Sequence, residues 1–423
     1  MKKIQNIGGT ILAIMVISVV CVNNDSSNVK KSSVLAYNAS GVNLESAQLI
    51  DSLKATFGDD YEQKMVKNEL ATKQAELLES KFEVDTNDNI IYPDNYGGSY
   101  INENNELVVQ IVDNLNNNKL NYATLKTNIS LEDNTLNEVV KYSYNDLISV
   151  NEKIVNYFLE NGVTVSNFVA NYIDVYSNRV VVELKNIDSE SIDKFKREVY
   201  DSEVIEFKVG ERADTTASYK VGAGFYVNAK YTKGNTTHHT GRYCSFGARA
   251  KRNGVSGYIT AGHCFGYMDY TTVDATIANG TYVTRFYSQT MDAAFVKLNS
   301  GNTVTNNLSD VGLQASMIKT TGHNYYTTGT AVGKDGSAGK YGTGLIKSLS
   351  FSGVDKDGYY HSGLTTTNIT AIDGDSGGPV FIVNNLTSSS GAPLIGITSV
   401  GNSNLLGFYD YNKIVTALGL TKY

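Results

Sequence analysis

Three short segments carry side chains that could act together in acyl transfer. Residues 374–379 read Gly-Asp-Ser-Gly-Gly-Pro, which places Ser376 between glycines that permit a sharp backbone turn. His263 follows Thr-Ala-Gly, and Asp292 stands at the head of an apolar run. A hydroxyl is a weak nucleophile, so it needs a histidine that accepts its proton and a carboxylate that orients the histidine. We therefore predict that His263, Asp292 and Ser376 are catalytic, with the N–H groups of Gly374 and Ser376 as an oxyanion hole.

The amino-acid composition changes after Glu211, in the part of the chain that must position these residues. From there the chain is rich in Gly, Ser, Thr, Asn and Tyr, and short β-type runs alternate with turn residues. This pattern predicts an all-β barrel or sandwich with one helix near the end, over 413–420. The predicted strands are 257–260, 294–298, 344–349, 379–383 and 394–400.

The preceding part has a different pattern, with apolar residues at helical spacing between Glu and Lys. Residues 85–101, rich in Asn, Asp and Gly, are predicted to form a loop. The whole part is predicted to be a small α/β unit. Its predicted helices are 43–57, 60–82, 136–159 and 192–199, and its predicted strands are 107–112, 178–184 and 204–208, with a further short strand after 163.

Charge divides the chain at the same place. Residues 221–423 hold 15 Lys and Arg, 10 Asp and no Glu, a balance of +5, although the whole chain has a net charge of −7. The first 220 residues hold the other 21 basic and 33 acidic residues, a balance of −12. Opposite charges favour docking of the two parts on each other. The alternative is that helices use Glu and β-proteins do not.

The N-terminus resembles an export signal. Lys2 and Lys3 precede an apolar run over 7–22, and small residues near 34–36 offer a cleavage site. We expect residues 1–36 to be a signal peptide of a secreted, extracellular protein. The alternative is an uncleaved anchor that retains the protein at the cell surface.

The cysteine count points to one cross-link. Cys21 would leave with the signal, so Cys244 and Cys264 remain as a pair that should form a disulfide in an oxidising compartment. Residues 252–254, Arg-Asn-Gly, suit a hairpin turn between them. His, Cys and Asp show no metal-ligand spacing, so we expect neither a metal nor another cofactor.

These segments resemble the chymotrypsin-fold serine peptidases, and most of all the bacterial branch of α-lytic protease and the streptogrisins. The order His263, Asp292, Ser376 along the chain matches that fold. The likeness lies in four segments, 244–264, 292–298, 329–344 and 373–401. It implies two six-stranded antiparallel β-barrels over 221–423, preceded by an α/β pro-region over 37–220. The pro-region would assist folding, inhibit the enzyme and be removed by a cut between about 207 and 221.

The resemblance also assigns positions around the triad. Ser399 would contact Asp292, and Gly401 would pair with extended substrate backbone. A buried Asp375 needs a cationic partner, and the matching residue is Lys334; a new N-terminus at Val221 is the alternative. The full set of predicted substrate-binding residues is Thr370, Ala371, Ile372, Asp373, Thr398, Ser399, Val400 and Gly401.

Specificity is less sharply indicated by the sequence. Thr370 stands where trypsin-like enzymes have Asp, so a strong preference for Lys or Arg at P1 is not expected. The absence of Glu after Glu211 would protect a Glu-specific enzyme from itself. The Glu-specific relatives use a histidine where this chain has Thr398, which favours a medium apolar or polar P1 residue instead.

The sequence therefore predicts a secreted serine endopeptidase made as a zymogen. Its expected partners are peptide or protein substrates and its own pro-region; no nucleic acid is expected, and the protein should be a monomer. The rival predictions are a catalytically inactive binding protein of the same fold and a surface adhesin. Neither explains why the complete motif over 374–379 is present.

Overall fold

A computed structural model gives the fold of most of the chain. It describes residues 44–86, 89–112, 135–211, 224–268, 270–277, 280–300, 318–321, 325–339, 341–383 and 391–422, together with 302, 304 and 308. The predicted signal peptide over 1–36 and the alternative N-terminus at Val221 lie outside these residues. In the described ranges, no helix is both long enough and apolar enough to cross a membrane.

The first part of the described chain mixes helices with short strands. Its helices are α1 (Leu44–Phe57), α2 (Tyr61–Glu79), α3 (Tyr144–Asn161) and α4 (Ser189–Glu198). Its strands are β1 (Glu83–Val84), β2 (Ile90–Ile91), β3 (Tyr96–Ile101), β4 (Leu107–Val112), β5 (Leu136–Val140), β6 (Phe168–Asp174), β7 (Arg179–Leu184) and β8 (Ile205–Val209). The α/β character predicted for this part is confirmed.

Two predictions for this part were wrong in detail. Residues 136–140 do not begin a helix; they form β5, which pairs in parallel with β4. Helix α3 begins only after Ser143, whose hydroxyl accepts a hydrogen bond from the Asp146 N–H while Asp146 bonds back to Ser143. This capping box fixes the helix start. The predicted loop over 85–101 also contains β3, which pairs with β4.

The second part is almost entirely β-structure, as predicted. Its strands are β9 (Gly224–Lys233), β10 (Thr236–Ser245), β11 (Ala248–Arg252), β12 (Val255–Thr260), β13 (Thr271–Ile277), β14 (Gly280–Ser288), β15 (Met291–Leu298), β16 (Ile318–Lys319), β17 (Ala331–Lys334), β18 (Gly342–Val354), β19 (Tyr360–Thr367), β20 (Pro379–Ile382), β21 (Ala392–Asn402), β22 (Leu405–Asp410) and β23 (Leu420–Thr421). Helix α5 (Tyr411–Leu418) lies before the last strand.

Apart from β16, which pairs in parallel with β21, these strands form two antiparallel groups. The first runs β10-β9-β13-β14-β15-β12-β11-β23, so it has seven strands before 300 where six were predicted. The extra strand arises because Phe246 and Gly247 separate β10 from β11. At this break the Ser245 N–H donates to the Ser376 carbonyl at 2.8 Å. In the second group, six strands pair in a closed ring, β17-β20-β21-β22-β19-β18 and back to β17.

The turn between β11 and β12 shows why the local sequence folds this way. Asn253 and Gly254 have φ angles of 50° and 78°, and Arg252 pairs directly with Val255. A two-residue loop with both φ angles positive matches the twist of a hairpin, and Asn-Gly adopts it at low cost. The predicted turn thus lies where expected. It leads through β12 to the turn that carries His263.

The two parts of the chain share a continuous seam. Strand β6 pairs with β18, so the sheet β6-β7-β8 extends the second ring. On the other side, Asn68 of α2 is fully buried; its amide donates to the Gly329 carbonyl at 2.9 Å and accepts from the Ala331 N–H at 2.9 Å. One apolar core runs across the seam, from Leu53 and Phe57 of α1 to the second ring.

Candidate active site

His263 lies on a short 3₁₀ turn, Gly262–Phe265, directly after β12. Its side chain is buried, and its Nδ1 lies 2.7 Å from Oδ2 of Asp292. The His263 backbone N–H donates to the other carboxylate oxygen at 2.8 Å. Both the ring and its backbone are therefore fixed to the same carboxylate. With Nδ1–H donating to Asp292, Nε2 is left as the proton acceptor.

Asp292 begins the buried core of β15 and has no solvent exposure. Ser399 of β21 donates its hydroxyl to Oδ2 of Asp292 at 2.5 Å. Burial by itself would raise the pKa of Asp292. The charge of His263 and the hydrogen bonds from His263 and Ser399 outweigh burial and hold the pKa below its ordinary value. Asp292 therefore stays ionised and can stabilise an imidazolium.

Ser376 lies on the loop between β19 and β20, and this loop is held by both strand groups. The Ser376 carbonyl accepts from Ser245, and the Gly377 N–H donates to the Thr398 carbonyl at 2.9 Å. Gly377 has φ of 86°, and a Cβ there would lie 2.0 Å from Oγ1 of Thr260. Only glycine fits this position. The loop thus reaches the junction where Thr260 precedes the His263 turn and Thr398 precedes Ser399.

The predicted oxyanion hole has its donors available. Within the described residues, the N–H groups of Gly374 and Ser376 make no hydrogen bond. Gly374 has φ of 97°, and its carbonyl accepts from the hydroxyls of Ser245 at 2.6 Å and Ser337 at 2.8 Å. These two serines fix the peptide unit that joins Gly374 to Asp375, which lies between the two peptide units that carry the donors. Both N–H groups are left to stabilise a developing oxyanion.

One contact of a working triad is not formed. Nε2 of His263 is buried and has no hydrogen-bond partner among the described residues, Ser376 included. Hydrogen bonds of catalytic groups are often long or misaligned without substrate and tighten on binding. The structure therefore brings His263, Asp292 and Ser399 into hydrogen-bond contact and places the Ser376 loop beside them.

Asp375 and Lys334 form a buried pair at 2.5 Å, each side chain being 1% exposed. The carboxylate also accepts hydrogen bonds from the backbone N–H groups of Ile372 at 3.0 Å and Gly339 at 2.7 Å. A Cβ at Gly339 would lie 2.4 Å from Oδ2 of Asp375. The site around this ion pair thus has no room for another side chain. The ion pair joins the residue before Ser376 to the end of β17.

The predicted substrate-binding residues divide into buried and exposed ones. Ala371 is buried and packs against Gly401. A Cβ added at Gly401 would lie 2.4 Å from the Cβ of Ala371. Thr398, Ser399 and Val400 are buried on β21; the Thr398 hydroxyl has no partner among the described residues. The side chains of Thr370 and Ile372 are instead exposed, and Thr370 donates to the Ser403 carbonyl at 2.6 Å. Asp373 is half-buried.

Cys244 and Cys264 are joined by a disulfide with a Cα–Cα distance of 6.3 Å. The bond links β10 to the turn that carries His263. The two sulfurs and His263 lie close enough to resemble a metal site, with ligand atoms within 4.8 Å of one another. Sulfurs bonded to each other cannot act as thiolate ligands, so these residues do not form a zinc centre in this state.

Two arginines contact the same turn and were missed by the sequence analysis. Arg285 of β14 and Arg242 of β10 donate to backbone carbonyls around His263. Both lie on strands distant in sequence from the turn they contact. Local motifs carry no signal for such contacts.

Family models match three segments of the chain. The family model described as Trypsin matches residues 250–416, the Pro-like N-terminal domain matches 54–133, and the Pro-like C-terminal domain matches 145–210. The chain thus combines Pro-like N-terminal and C-terminal domains with a trypsin-family domain. This confirms the resemblance to chymotrypsin-fold peptidases that carry an N-terminal pro-region.

Solved structures similar to part of this chain include bacterial proteases. Protease A of Thermobifida fusca is 25% identical, with 48% of this chain and 97% of that chain covered at a TM-score of 0.35. A chymotrypsin of Cellulomonas bogoriensis is 29% identical, with 48% and 97% covered at a TM-score of 0.34. A Nocardiopsis protease is 25% identical, with 50% and 99% covered at a TM-score of 0.35.

Proposed function

We propose that this chain is the precursor of a secreted serine endopeptidase that uses His263, Asp292 and Ser376. The observation that carries the proposal is the hydrogen-bonded group of His263, Asp292 and Ser399 beside a loop that offers two unpaired N–H groups. This arrangement provides a base, an orienting carboxylate and an oxyanion hole at one junction. Serine acyl transfer needs these three parts around its nucleophile.

The reaction would proceed through an acyl-enzyme. Ser376 Oγ attacks the scissile carbonyl carbon, its proton passes to Nε2 of His263, and the oxyanion is held by the N–H groups of Gly374 and Ser376. His263 then gives this proton to the leaving amine as the C–N bond breaks. Water attacks the ester in the second half, with His263 again accepting and returning the proton. Asp292 stabilises the imidazolium in both halves.

The Pro-like domains would keep the enzyme inactive and assist its folding. Two observations support this role. In the full chain, His263 and Ser376 are only 1% and 2% exposed, and β6 of the Pro-like part continues the sheet of the peptidase part. Removal of the segment before about 221 would then open the cleft. The apolar run over 7–22 and the Cys244–Cys264 disulfide support export to an oxidising compartment.

The P1 residue is expected to be medium-sized and apolar or polar. Ala371 and Gly401 are small and packed together, and the unpaired Thr398 hydroxyl adds a hydrogen-bonding group nearby. Thr370 stands where trypsin-like enzymes have Asp, so a cationic P1 side chain would lack a carboxylate partner at this position.

Hydrolysis of fluorogenic peptides tests the proposal. The full chain is expressed, left to process, and assayed on a peptide library beside Ser376→Ala and the exposed control Ser300→Ala. We expect the wild type and Ser300→Ala to cleave the same peptides and Ser376→Ala to lose about 10³-fold or more in turnover. Equal cleavage by Ser376→Ala, or no cleavage by correctly processed wild type, would overturn the assignment and favour an inactive binding protein.

A further inference from the structure

Arg285 contacts the start of the turn that carries His263 and the residues that follow the turn. Its Nη1 donates to the carbonyls of Gly262 at 3.1 Å and Gly266 at 3.0 Å. Its Nη2 donates to the carbonyls of Tyr267 at 3.0 Å and Tyr270 at 2.6 Å. The two terminal nitrogens of a guanidinium carry four N–H donors, and these four bonds use all of them. One side chain therefore holds four carbonyls within nine residues of chain.

The environment of Arg285 disfavours its positive charge. Burial lowers the pKa of Arg285, and within the described residues it forms no salt bridge with a carboxylate. The Arg285 side chain is half-buried, and a cation that loses hydration is unfavourable unless that hydration is replaced. Here the replacement comes from the carbonyl oxygens of the turn. The turn and the guanidinium thus depend on each other.

A second arginine, Arg242 of β10, also binds a carbonyl of this turn. Its Nη1 donates to the carbonyl of His263 at 2.9 Å, and its guanidinium carbon lies 4.8 Å from the centre of the Tyr267 ring. The His263 backbone is thereby held on both sides, by Asp292 at its N–H and by Arg242 at its carbonyl. Arg285 holds the carbonyl before His263 and the one that ends the 3₁₀ turn region.

We propose that Arg285 is a positioning residue for His263, acting through the turn and not on the substrate. The inference rests on the proposed peptidase function. Without the guanidinium, the carbonyls of Gly262 and Gly266 lose their donors and the peptide units flanking His263 can reorient. The imidazole must face Asp292 through Nδ1 and Ser376 through Nε2 at once. A misplacement of about 1 Å is enough to cost on the order of 10²-fold in rate.

A lysine cannot reproduce this role. Its ammonium is a point charge with three donors on a flexible stem, whereas the four carbonyls require donors spread over a planar fork. Arg285→Lys keeps the positive charge but not the planar set of donors, so it should lower kcat less than Arg285→Met does. Arg252 provides a matched control, because its Nε donates to the Leu418 carbonyl at 2.9 Å, at the β11 end of the same sheet.

The full chain is expressed and left to process. Steady-state kinetics of the resulting enzyme test the inference, with thermal unfolding measured in parallel. We expect Arg285→Met to lower kcat about 10²-fold with KM changed less than about threefold, Arg285→Lys to fall between, and Arg252→Met to match wild type. A variant too inactive to process itself, yet folded, counts as the expected loss.

Three results would overturn the inference. Arg285→Met could keep kcat within about threefold of wild type, it could raise KM alone, or Arg252→Met could lose as much kcat as Arg285→Met. If Arg285→Met does not fold, Arg285→Lys decides by the same split of kcat from KM. Activity of the wild type separates the two claims: an inactive wild type defeats the proposed function, whereas active wild type with an equally active Arg285→Met defeats only this inference.

Discussion

The two buried carboxylates Asp292 and Asp375 are stabilised in different ways. Asp292 accepts hydrogen bonds from His263 and Ser399, groups that can take part in proton transfer or line the cleft. Asp375 is bound by Lys334 and by backbone N–H groups, including that of Gly339. These surroundings fit the proposed roles, Asp292 orienting His263 and Asp375 holding the loop that carries Ser376.

Replacing Lys334 should destabilise the whole chain. Lys334→Met keeps the side-chain volume but leaves Asp375 as a buried charge without its cation, and breaking such a pair costs about 3–5 kcal/mol. Urea denaturation of the full chain would measure this loss in a Ser376→Ala background, which prevents self-cleavage. Lys413→Met, at an exposed lysine, should change the free energy of unfolding by less than about 0.5 kcal/mol. A loss below about 1 kcal/mol for Lys334→Met would contradict a structural role of the pair.

What the sequence could reveal at this scale depended on motifs. His263 and Ser376 stand in short, distinctive runs, and Asp292 stands at the head of an apolar run. The family resemblance added Ser399 and Lys334. Arg285 was missed because its four contacts join a strand to a turn some 15 to 23 residues earlier in the chain. No periodicity records hydrogen bonds of that kind.

At the scale of elements, strands and turns with local signals were predictable. The Asn253–Gly254 hairpin follows from its turn chemistry alone. Residues 136–140 were misassigned because Leu136, Val139 and Val140 also fit a helical spacing. They become a strand through parallel pairing with β4, a non-local interaction, while the Ser143 capping box delays the helix.

Helix α2 should owe much of its attachment to Asn68. The amide of this buried side chain pairs with the Gly329 carbonyl and the Ala331 N–H, as a neighbouring strand would. Asn68→Ala leaves both backbone groups buried and unpaired, which should lower the free energy of unfolding of the full chain by about 1–3 kcal/mol. Urea denaturation of the Ser376→Ala full chain would measure it.

A matched asparagine on α3 serves as the control for this prediction. Asn161 donates only to the Tyr157 carbonyl at an exposed helix end, so Asn161→Ala should change stability by less than about 0.5 kcal/mol. Equal effects of the two substitutions would mean that Asn68 is not a specific anchor between the Pro-like part and the peptidase part.

At the scale of the whole molecule, the acidic Pro-like part and the basic peptidase part share a sheet and an apolar core. The charge balances of −12 and +5 favour this docking, as the sequence suggested. The sequence could not show where the seam runs. The pairing of β6 with β18 joins backbones of two segments that carry no complementary motif.

One carboxyl group at this seam should make stability depend on pH. Burial raises the pKa of Glu79 to about 7, although the Tyr325 hydroxyl of the peptidase part opposes the shift. The folded chain therefore favours neutral Glu79. Its stabilising contribution is complete below the ordinary carboxyl pKa and is lost as the pH rises through about 7. The full chain should be less stable at pH 8 than at pH 5.5.

Glu79→Gln separates this contribution from other titrating groups. The amide stays neutral, so the drop in the free energy of unfolding between pH 5.5 and pH 8 should be smaller than in the unaltered chain. The comparison uses urea denaturation of the Ser376→Ala full chain at both pH values. An identical drop with and without Glu79 would show that this carboxyl does not sense pH.

The central claim is that Ser376 is a nucleophile activated by His263, and covalent labelling tests it most directly. The full chain is expressed and left to process. The resulting protein is treated with a fluorophosphonate, and the adduct is located by tandem mass spectrometry. The account predicts a single adduct on Ser376 that is absent from Ser376→Ala and forms far more slowly in His263→Ala. Correctly processed, folded protein that takes up no label, or that carries it on another serine, would contradict the account.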